Sequence, residues 1–154
     1  MIIRKATSED IPAIVRLLQL SLGEGLIKKT AEIWNFKHIE NPFGNSYVLL
    51  GFEGDILVGV RAFMKWQWQL GTQSYTAYRA VDTATHPDFQ GKGIFKRLTL
   101  QALDDIHKEG DTFVFNTPNH NSRPGYLKMG WKIVDKIELA VIPTPAYFFS
   151  YVFS

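Results

Sequence analysis

The spacing of apolar residues changes along the chain, and each change marks an element. Ile11, Ile14, Val15, Leu18 and Leu22 recur at helical intervals, which predicts an amphipathic helix over 8–22. Thr7 caps it, Asp10 supplies an acidic first turn, and Gly23 and Gly25 end it. A second helix is expected over 29–39, carrying Trp34 and Phe36, before the turn Asn41-Pro42-Phe43-Gly44. From Ser46 the period falls to two. Strands are predicted over 46–52, 56–70 and 74–85, joined by the tight turns Glu53-Gly54-Asp55 and Gly71-Thr72 into an antiparallel meander. Within the long middle strand, Met64, Trp66, Trp68 and Leu70 share one side, which reads as a buried sheet face.

The helical period returns after His86-Pro87-Asp88, in Ile94, Phe95, Leu98, Ala102, Leu103 and Ile106, and Gly110 closes that helix. A short buried strand over 111–116, a second βα step from Thr117 to about Lys128, a strand over 131–142 and a last aromatic segment over 146–153 complete the chain. The order β-α-α-β-β-β-α-β-α-β-β predicts one domain over 1–154 of the α/β (α+β) class. Its centre is a mixed, mostly antiparallel sheet of six to seven strands flanked by about four helices. The passage from 74 to 116 is expected to be a right-handed crossover with parallel pairing.

Composition narrows the chemistry. The 154 residues carry a net charge of only +2, which gives no argument for a nucleic-acid partner. No cysteine is present, so disulfides, thiolate metal sites and a cysteine nucleophile are excluded. His38, His86, His107 and His120 form no close pair at metal-ligand spacing, so no metal is expected. The N-terminus turns charged too early for a signal peptide, and no apolar run approaches the roughly 20 residues of a membrane helix. A soluble cytoplasmic protein, with no membrane partner, is the expectation.

One stretch carries most of the functional signal. "HPDFQGKGIFKRL" places Gly91 and Gly93 around Lys92, between a proline turn and a helix start. The first N–H groups of a helix lack partners within it, point outward and sit at the positive end of the helix dipole. Glycines let a ligand approach that backbone closely. Gln90, Gly91, Lys92, Gly93, Ile94, Phe95 and Lys96 thus form a candidate cradle for a phosphate or diphosphate. The stretch has neither the P-loop pattern nor the third glycine of a dinucleotide fingerprint, Lys96 standing in that place.

"VDTATHPDFQGKGIFKRLTLQAL" resembles the acetyl-coenzyme A motif of the GNAT superfamily of N-acetyltransferases: a strand, a His-Pro or similar turn, then Gln/Arg-x-x-Gly-x-Gly/Ala opening a helix. Gln90 and Gly93 match, and Phe95 stands where the family prefers Gly or Ala. "NHNSRPGYLKMGW" is similar to the family's later segment, with Asn119, Ser122, Tyr126, Gly130 and Trp131 at matching intervals. The element order agrees, so the resemblance covers nearly the whole chain.

The resemblance implies acetyl-coenzyme A as acetyl donor. Its pantetheine would pair with the backbone of Thr83, Ala84 and Thr85 in a gap between two parallel strands. It also implies that Asn119 supports the cofactor or caps its helix, and that Tyr126 protonates the departing sulfur. A phenol, with an ordinary pKa of ~10, holds its proton at neutral pH. Lacking cysteine, the protein is expected to use direct attack by the amine in a ternary complex. Asp82, beside the pantetheine strand, offers a base directly or through water, although the plainer reading is a polar residue on an exposed strand face. His86 is chiefly a turn residue, and His107 a solvated one.

The family's acceptor cleft would here be bordered by Trp34, Phe36, His38, Phe43, Trp66 and Trp68. The expected activity is acetylation of a small-molecule primary amine. A protein lysine or N-terminus as acceptor, and a non-catalytic acyl-coenzyme A sensor, are the alternatives. The uncharged C-terminal stretch "AYFFSYVFS" is expected either to be a buried final strand or to be covered in a homodimer.

Overall fold

The computed structural model describes residues 1–23, 25, 28–110 and 113–135. Strand β1 (Ile2–Lys5) leads through a 3-10 turn (Ser8–Asp10) into helix α1 (Ile11–Leu22) and then α2 (Ala31–His38). The meander β2 (Tyr47–Glu53), β3 (Ile56–Leu70) and β4 (Gln73–Thr85) comes next. A second 3-10 turn (Pro87–Phe89) precedes α3 (Ile94–Lys108), and β5 (Phe113–Phe115) and α4 (Arg123–Lys128) come last. The first helix begins later than its periodicity predicts. The Thr7 N–H and hydroxyl both donate to Asp10, and Arg4 grips the same carboxylate through two bonds of 2.7 Å. That knot winds residues 8–10 more tightly, and the α-helix starts beyond it with Pro12 in its first turn.

Among the described residues the sheet has five strands in the order β1-β2-β3-β4-β5, fewer than the expected six to seven. Residues 131–135 form no strand, and the rest of the expected sixth strand, like the aromatic tail behind the homodimer reading, lies outside the described residues. The first four strands pair antiparallel and β5 pairs parallel to β4. No helix among the described residues is long and apolar enough to cross a membrane.

Successive strand residues face opposite sides of a sheet. Leu50 joins Val60, Ala62 and Ala84 against Ile14, Leu17, Leu18 and Trp34, whereas Leu49 joins Val58, Phe63 and Tyr78 against Ile94, Leu98, Ala102 and Ile106. Helices α1 and α2 therefore cover one face and α3 the other. The Tyr47 hydroxyl also donates to Asp105 at 2.6 Å, tying β2 to α3.

The face expected to be buried along 64–70 is buried only at its start. Met64 is enclosed, but Trp68 is 44% and Leu70 75% exposed. The cause is length: the 15 residues of β3 extend about 50 Å at strand rise, while the 12 residues of α1 reach about 18 Å. The β3–β4 hairpin projects past the helices that cover its base.

Two features of the sheet bring the glycine turn and the end of β4 together. Strand β5 pairs with β4 only from Ala77 to Arg79, so from Ala80 to Thr85 that edge of β4 has no strand beside it among the described residues. And α3 is pressed hard onto β3 at Gly59, where an added Cβ would lie 2.6 Å from Ile94 Cγ2 and 2.8 Å from Leu98 Cδ1. Gly59 is paired with Thr85, so this contact holds the start of α3 beside the open end of β4. Gly59→Ala is expected to cost about 1–3 kcal/mol by overpacking. It should lower the melting temperature by several degrees in thermal unfolding; an unchanged melting curve would show that α3 is free to withdraw.

Candidate active site

The glycine turn has the geometry its sequence demands. His86 N–H donates to Val58 O, and His86 Nδ1 accepts from the Asp88 N–H at 3.3 Å, so this histidine builds the turn. Gly91 and Gly93 both have φ near +75°, the left-handed region where a side chain is strained. The first backbone bond of α3 runs from Arg97 N–H to Gly93 O. The N–H groups of Gly91, Lys92, Gly93, Ile94, Phe95 and Lys96 therefore have no backbone acceptor among the described residues. Lys92 and Lys96 are exposed at the same mouth, with the Lys92 ammonium 4.4 Å from the Phe89 ring centre. Clustered free amides at the positive end of a helix, with two ammonium groups, make an anion receptor.

Phe95 does not crowd this mouth. Its ring turns inward, edge-on to Tyr126 at 5.3 Å, and fills the space that Gly125 leaves: a Cβ on Gly125 would lie 3.1 Å from Phe95 Cε1. The bulk that departs from the family pattern at 95 is matched by the missing bulk at 125.

The end of β4 is distorted. Register shifts so that Asp82 and Thr83 together face Arg61 of β3, and Asp82 takes φ +41°, rare for a residue with a side chain. The bulge sends neighbouring side chains to different faces. Ala84 is buried against α1, the Thr85 carbonyl accepts from Ser21 Oγ, and the Thr83 hydroxyl meets Arg61.

Arg61 is fully buried, and among the described residues no carboxylate pairs with it. Its Nη1 donates to Thr83 Oγ1 and, at 2.6 Å, to the Tyr126 hydroxyl oxygen. Its guanidinium carbon lies 4.5, 5.7 and 5.3 Å from the ring centres of Phe63, Phe95 and Tyr126. Among the described residues its Nε and Nη2 have no hydrogen-bond partner. Burial presses this guanidinium below its ordinary value, against the opposing pull of the Tyr126 oxygen. Because Arg61 occupies a lone pair of that oxygen, the phenolic proton points away from Arg61. Tyr126 itself is 6% exposed, packed between Phe95 and Trp131.

On the other face Asp82 gathers a second polar group. Its Oδ2 accepts from Lys37 Nζ and, at 2.8 Å, from His38 Nε2. His38 is 1% exposed, and its Nδ1 lies 2.8 Å from Ser46 Oγ. Burial alone would raise the Asp82 carboxyl, but the His38 hydrogen bond and the Lys37 ammonium outweigh it and hold it at about 2. With Asp82 ionised, Nε2 must carry the His38 proton. Asp82 is thus neither exposed nor free.

The remaining expectations divide. Asn119 caps: its Oδ1 accepts from Ser122 N–H and Oγ, both at 2.9 Å, and its carbonyl accepts from Arg123. The aromatic wall does not exist as one surface. Trp34 and His38 are buried, and Phe36 is 68% exposed on α2, while Phe43 and Trp66 pair at 5.6 Å and Trp68 stands further out. His107 is exposed on α3. Among the described residues no three His, Asp or Glu side chains are grouped to hold a metal. Two participants escaped the sequence reading. Arg61 leaves a trace, a lone cation inside the apolar run "ILVGVRAFM". The His38–Ser46 contact leaves none, because only the α2–β2 connection brings the two together.

Comparison with known proteins shows the same fold. The chain superposes on an acetyltransferase from Trypanosoma brucei with a TM-score of 0.67 at 16% identity, over 92% of this chain and 99% of that one. A predicted acetyltransferase from Clostridium acetobutylicum, solved with acetyl-CoA, gives 0.71 at 19% identity over 90% and 95%. Glucosamine-6-phosphate N-acetyltransferase from Arabidopsis thaliana gives 0.67 at 16% over 92% and 97%. No curated protein matches this chain in sequence. The model of the acetyltransferase (GNAT) domain matches residues 2–134, from β1 past α4, and the chain belongs to that family of acetyltransferases.

Proposed function

We propose that this acetyltransferase moves an acetyl group from acetyl-coenzyme A to the primary amine of a small molecule, by direct attack in a ternary complex. One observation carries the reading. The free amides of Gly91–Lys96 follow the unpaired edge of β4, Ala80 to Thr85, across the turn at His86, and within that edge Thr83 joins the Arg61–Tyr126 hydrogen bond. An anion receptor, an open strand edge and a phenol in that order suit a diphosphate, a chain of amides and a thioester.

The residues then have separate tasks. Gly91, Lys92, Gly93, Ile94, Phe95 and Lys96 hold the diphosphate, with Gln90 at the rim. The backbone of Thr83, Ala84 and Thr85 lines the pantetheine channel. Asn119 keeps α4, and so Tyr126, in place. The amine nitrogen attacks the thioester carbonyl carbon; a C–N bond forms and the C–S bond breaks. Tyr126 gives its proton to the departing sulfur and is reprotonated by the proton the nitrogen loses. Arg61 is a positioning residue: it occupies the phenolic oxygen from behind and aims the O–H outward. Asp82, ionised at neutral pH, is too weak a base to keep a proton taken from an ammonium ion. Its part is to hold the incoming ammonium, which loses its first proton to solvent.

The reading is tested by thiol release with acetyl-coenzyme A and a panel of primary amines, beside calorimetric titration with acetyl-coenzyme A. Binding with turnover supports it; tight binding with no turnover on any amine favours the sensor. Tyr126→Phe is expected to lower kcat about 100-fold or more while acetyl-coenzyme A binds as before. An unchanged kcat would remove Tyr126 from the chemistry.

Asp82 also links stability to pH. Its carboxyl is depressed in the fold, so its contribution is present above the ordinary carboxylate value near 4 and is lost as pH falls towards about 2. Asp82→Asn should be less stable than the parent by on the order of 2 kcal/mol at pH 7. Asn tolerates a positive φ, so the backbone adds little to that difference. Urea unfolding at pH 7, 4 and 3 should show the gap narrowing only below pH 4. A gap independent of pH would mean that the ion pair is not its source.

A further inference from the structure

Strand β3 carries Trp66 and Trp68 beyond the helices that cover its base. Ala62 lies in the α1/α2 core, so Met64, Trp66 and Trp68 alternate onto that face. The register sets Arg79 against Met64 and Phe115 against Arg79, which brings both to the same face. Trp66, Trp68, Arg79 and Phe115 line an open cavity of about 390 Å³, completed by Gln67, Gln69 and Thr117. That size suits a small molecule.

Walls and charge come from different residues. Phe115 stands edge-on to Trp66 at 6.2 Å and to Trp68 at 5.2 Å, so the rings form a corner. A flat ring in such a corner stacks offset on one wall and meets another edge-on, the two arrangements that aromatic pairs favour. Arg79 is the charged group of the lining. One of its nitrogens donates to Thr117 Oγ1 at 3.1 Å, and its guanidinium carbon lies 6.0 Å from the Trp66 ring centre. Among the described residues no carboxylate pairs with it.

These groups select a ligand class. A half-buried guanidinium with donors to spare takes a carboxylate through two parallel bonds. A phosphate dianion calls for more positive charge, and the described lining holds no second cation. A cationic ligand is repelled by Arg79. Asp82 has no part here. It lies three residues along β4, on the far side of Arg79 from Trp66 and Trp68, in a separate small pocket with Leu18, Trp34 and Lys37. The cavity therefore offers a seat to an anion and none to an ammonium ion.

We propose that this cavity is a binding site for a small aromatic monocarboxylate, whose carboxylate pairs with Arg79 and whose ring lies in the corner of Trp66, Trp68 and Phe115. Arg79 and Phe115 are the last pair between β4 and β5, so the ligand bridges the two strands at the head of the open edge. The site is separate from Asp82 and does not rest on the acetyl-transfer reading.

The probes are 3-phenylpropionate and its neutral counterpart 3-phenylpropionamide, titrated into the whole chain by calorimetry. Tryptophan emission gives a second signal, because Trp66 and Trp68 line the cavity. The acid is expected to bind about tenfold or more tightly than the amide. Arg79→Gln should lower the acid to the affinity of the amide, and Arg79→Lys should leave an intermediate affinity. Trp68→Ala should weaken both probes alike. Each variant's fold is checked by its melting curve. Repeating the acid titration with coenzyme A in excess tests whether the acid sits instead on the free amides of residues 91–96; binding that persists supports the cavity. Acid binding abolished by coenzyme A, equal affinity for acid and amide, an acid affinity that survives in Arg79→Gln, or no binding of either probe overturns the proposal.

Discussion

A buried cation with no counter-ion among the described residues organises the centre of this molecule. Burying a guanidinium is costly unless its charge and its donors are met. Arg61 meets part of that cost with the faces of Phe63, Phe95 and Tyr126 and the oxygens of Thr83 and Tyr126, and among the described residues Nε and Nη2 stay unmet. Three of these partners come from different elements: the Thr83 bulge from β4, Phe95 from the first turn of α3, Tyr126 from α4. Arg61 therefore fixes three parts of the site relative to one another. Its neighbours explain a local oddity as well. Phe95 is large because it is a wall of this cage, and Gly125 is small so that the wall fits.

The bulge divides the chemistry between the two faces of the sheet. Thr83 turns towards Arg61 and Tyr126, and Asp82, one residue earlier, turns towards Lys37 and His38. A regular strand would also alternate the two, but it would keep β4 in simple register with β3. Two residues against one bend the strand and set Asp82 at a positive φ. The Tyr126 phenol and the Asp82 carboxylate thus lie on opposite faces beside the open edge of β4.

Much of this was legible in the sequence because it is carried by local pattern. The helical period over 94–106 and the alternation over 56–85 reflect burial on one face, and burial is what the strands and α3 then show. The glycine turn was legible for a stronger reason: φ near +75° at both Gly91 and Gly93 is a backbone demand that few other residues meet. Tertiary facts were not legible. Alternation along 64–70 looks the same whether or not a helix lies over it, so the reach of the hairpin past α1 was misread as core. Phe95 looked like a defect in the motif until Gly125, thirty positions away in another helix, came to rest against it. Asp82 read as either a base or a surface residue, since nothing in its flanks announces Lys37 and His38.

The same locality explains why the cavity is the part of the molecule that sequence reading disperses. The proposed donor cradle consists of backbone amides, whose availability follows from a turn motif. The cavity beside the hairpin is lined by side chains from the far halves of β3 and β4, from β5 and from Thr117, which share no motif. Trp66, Trp68 and Phe115 are separately unremarkable aromatics, and only the antiparallel register that sets Met64 against Arg79, with the parallel register that sets Arg79 against Phe115, brings them together around one cavity. Such a surface changes with single side chains while the cradle and the Arg61 cage stay fixed. A fold that builds one surface from backbone and another from side chains is free to change the second without disturbing the first.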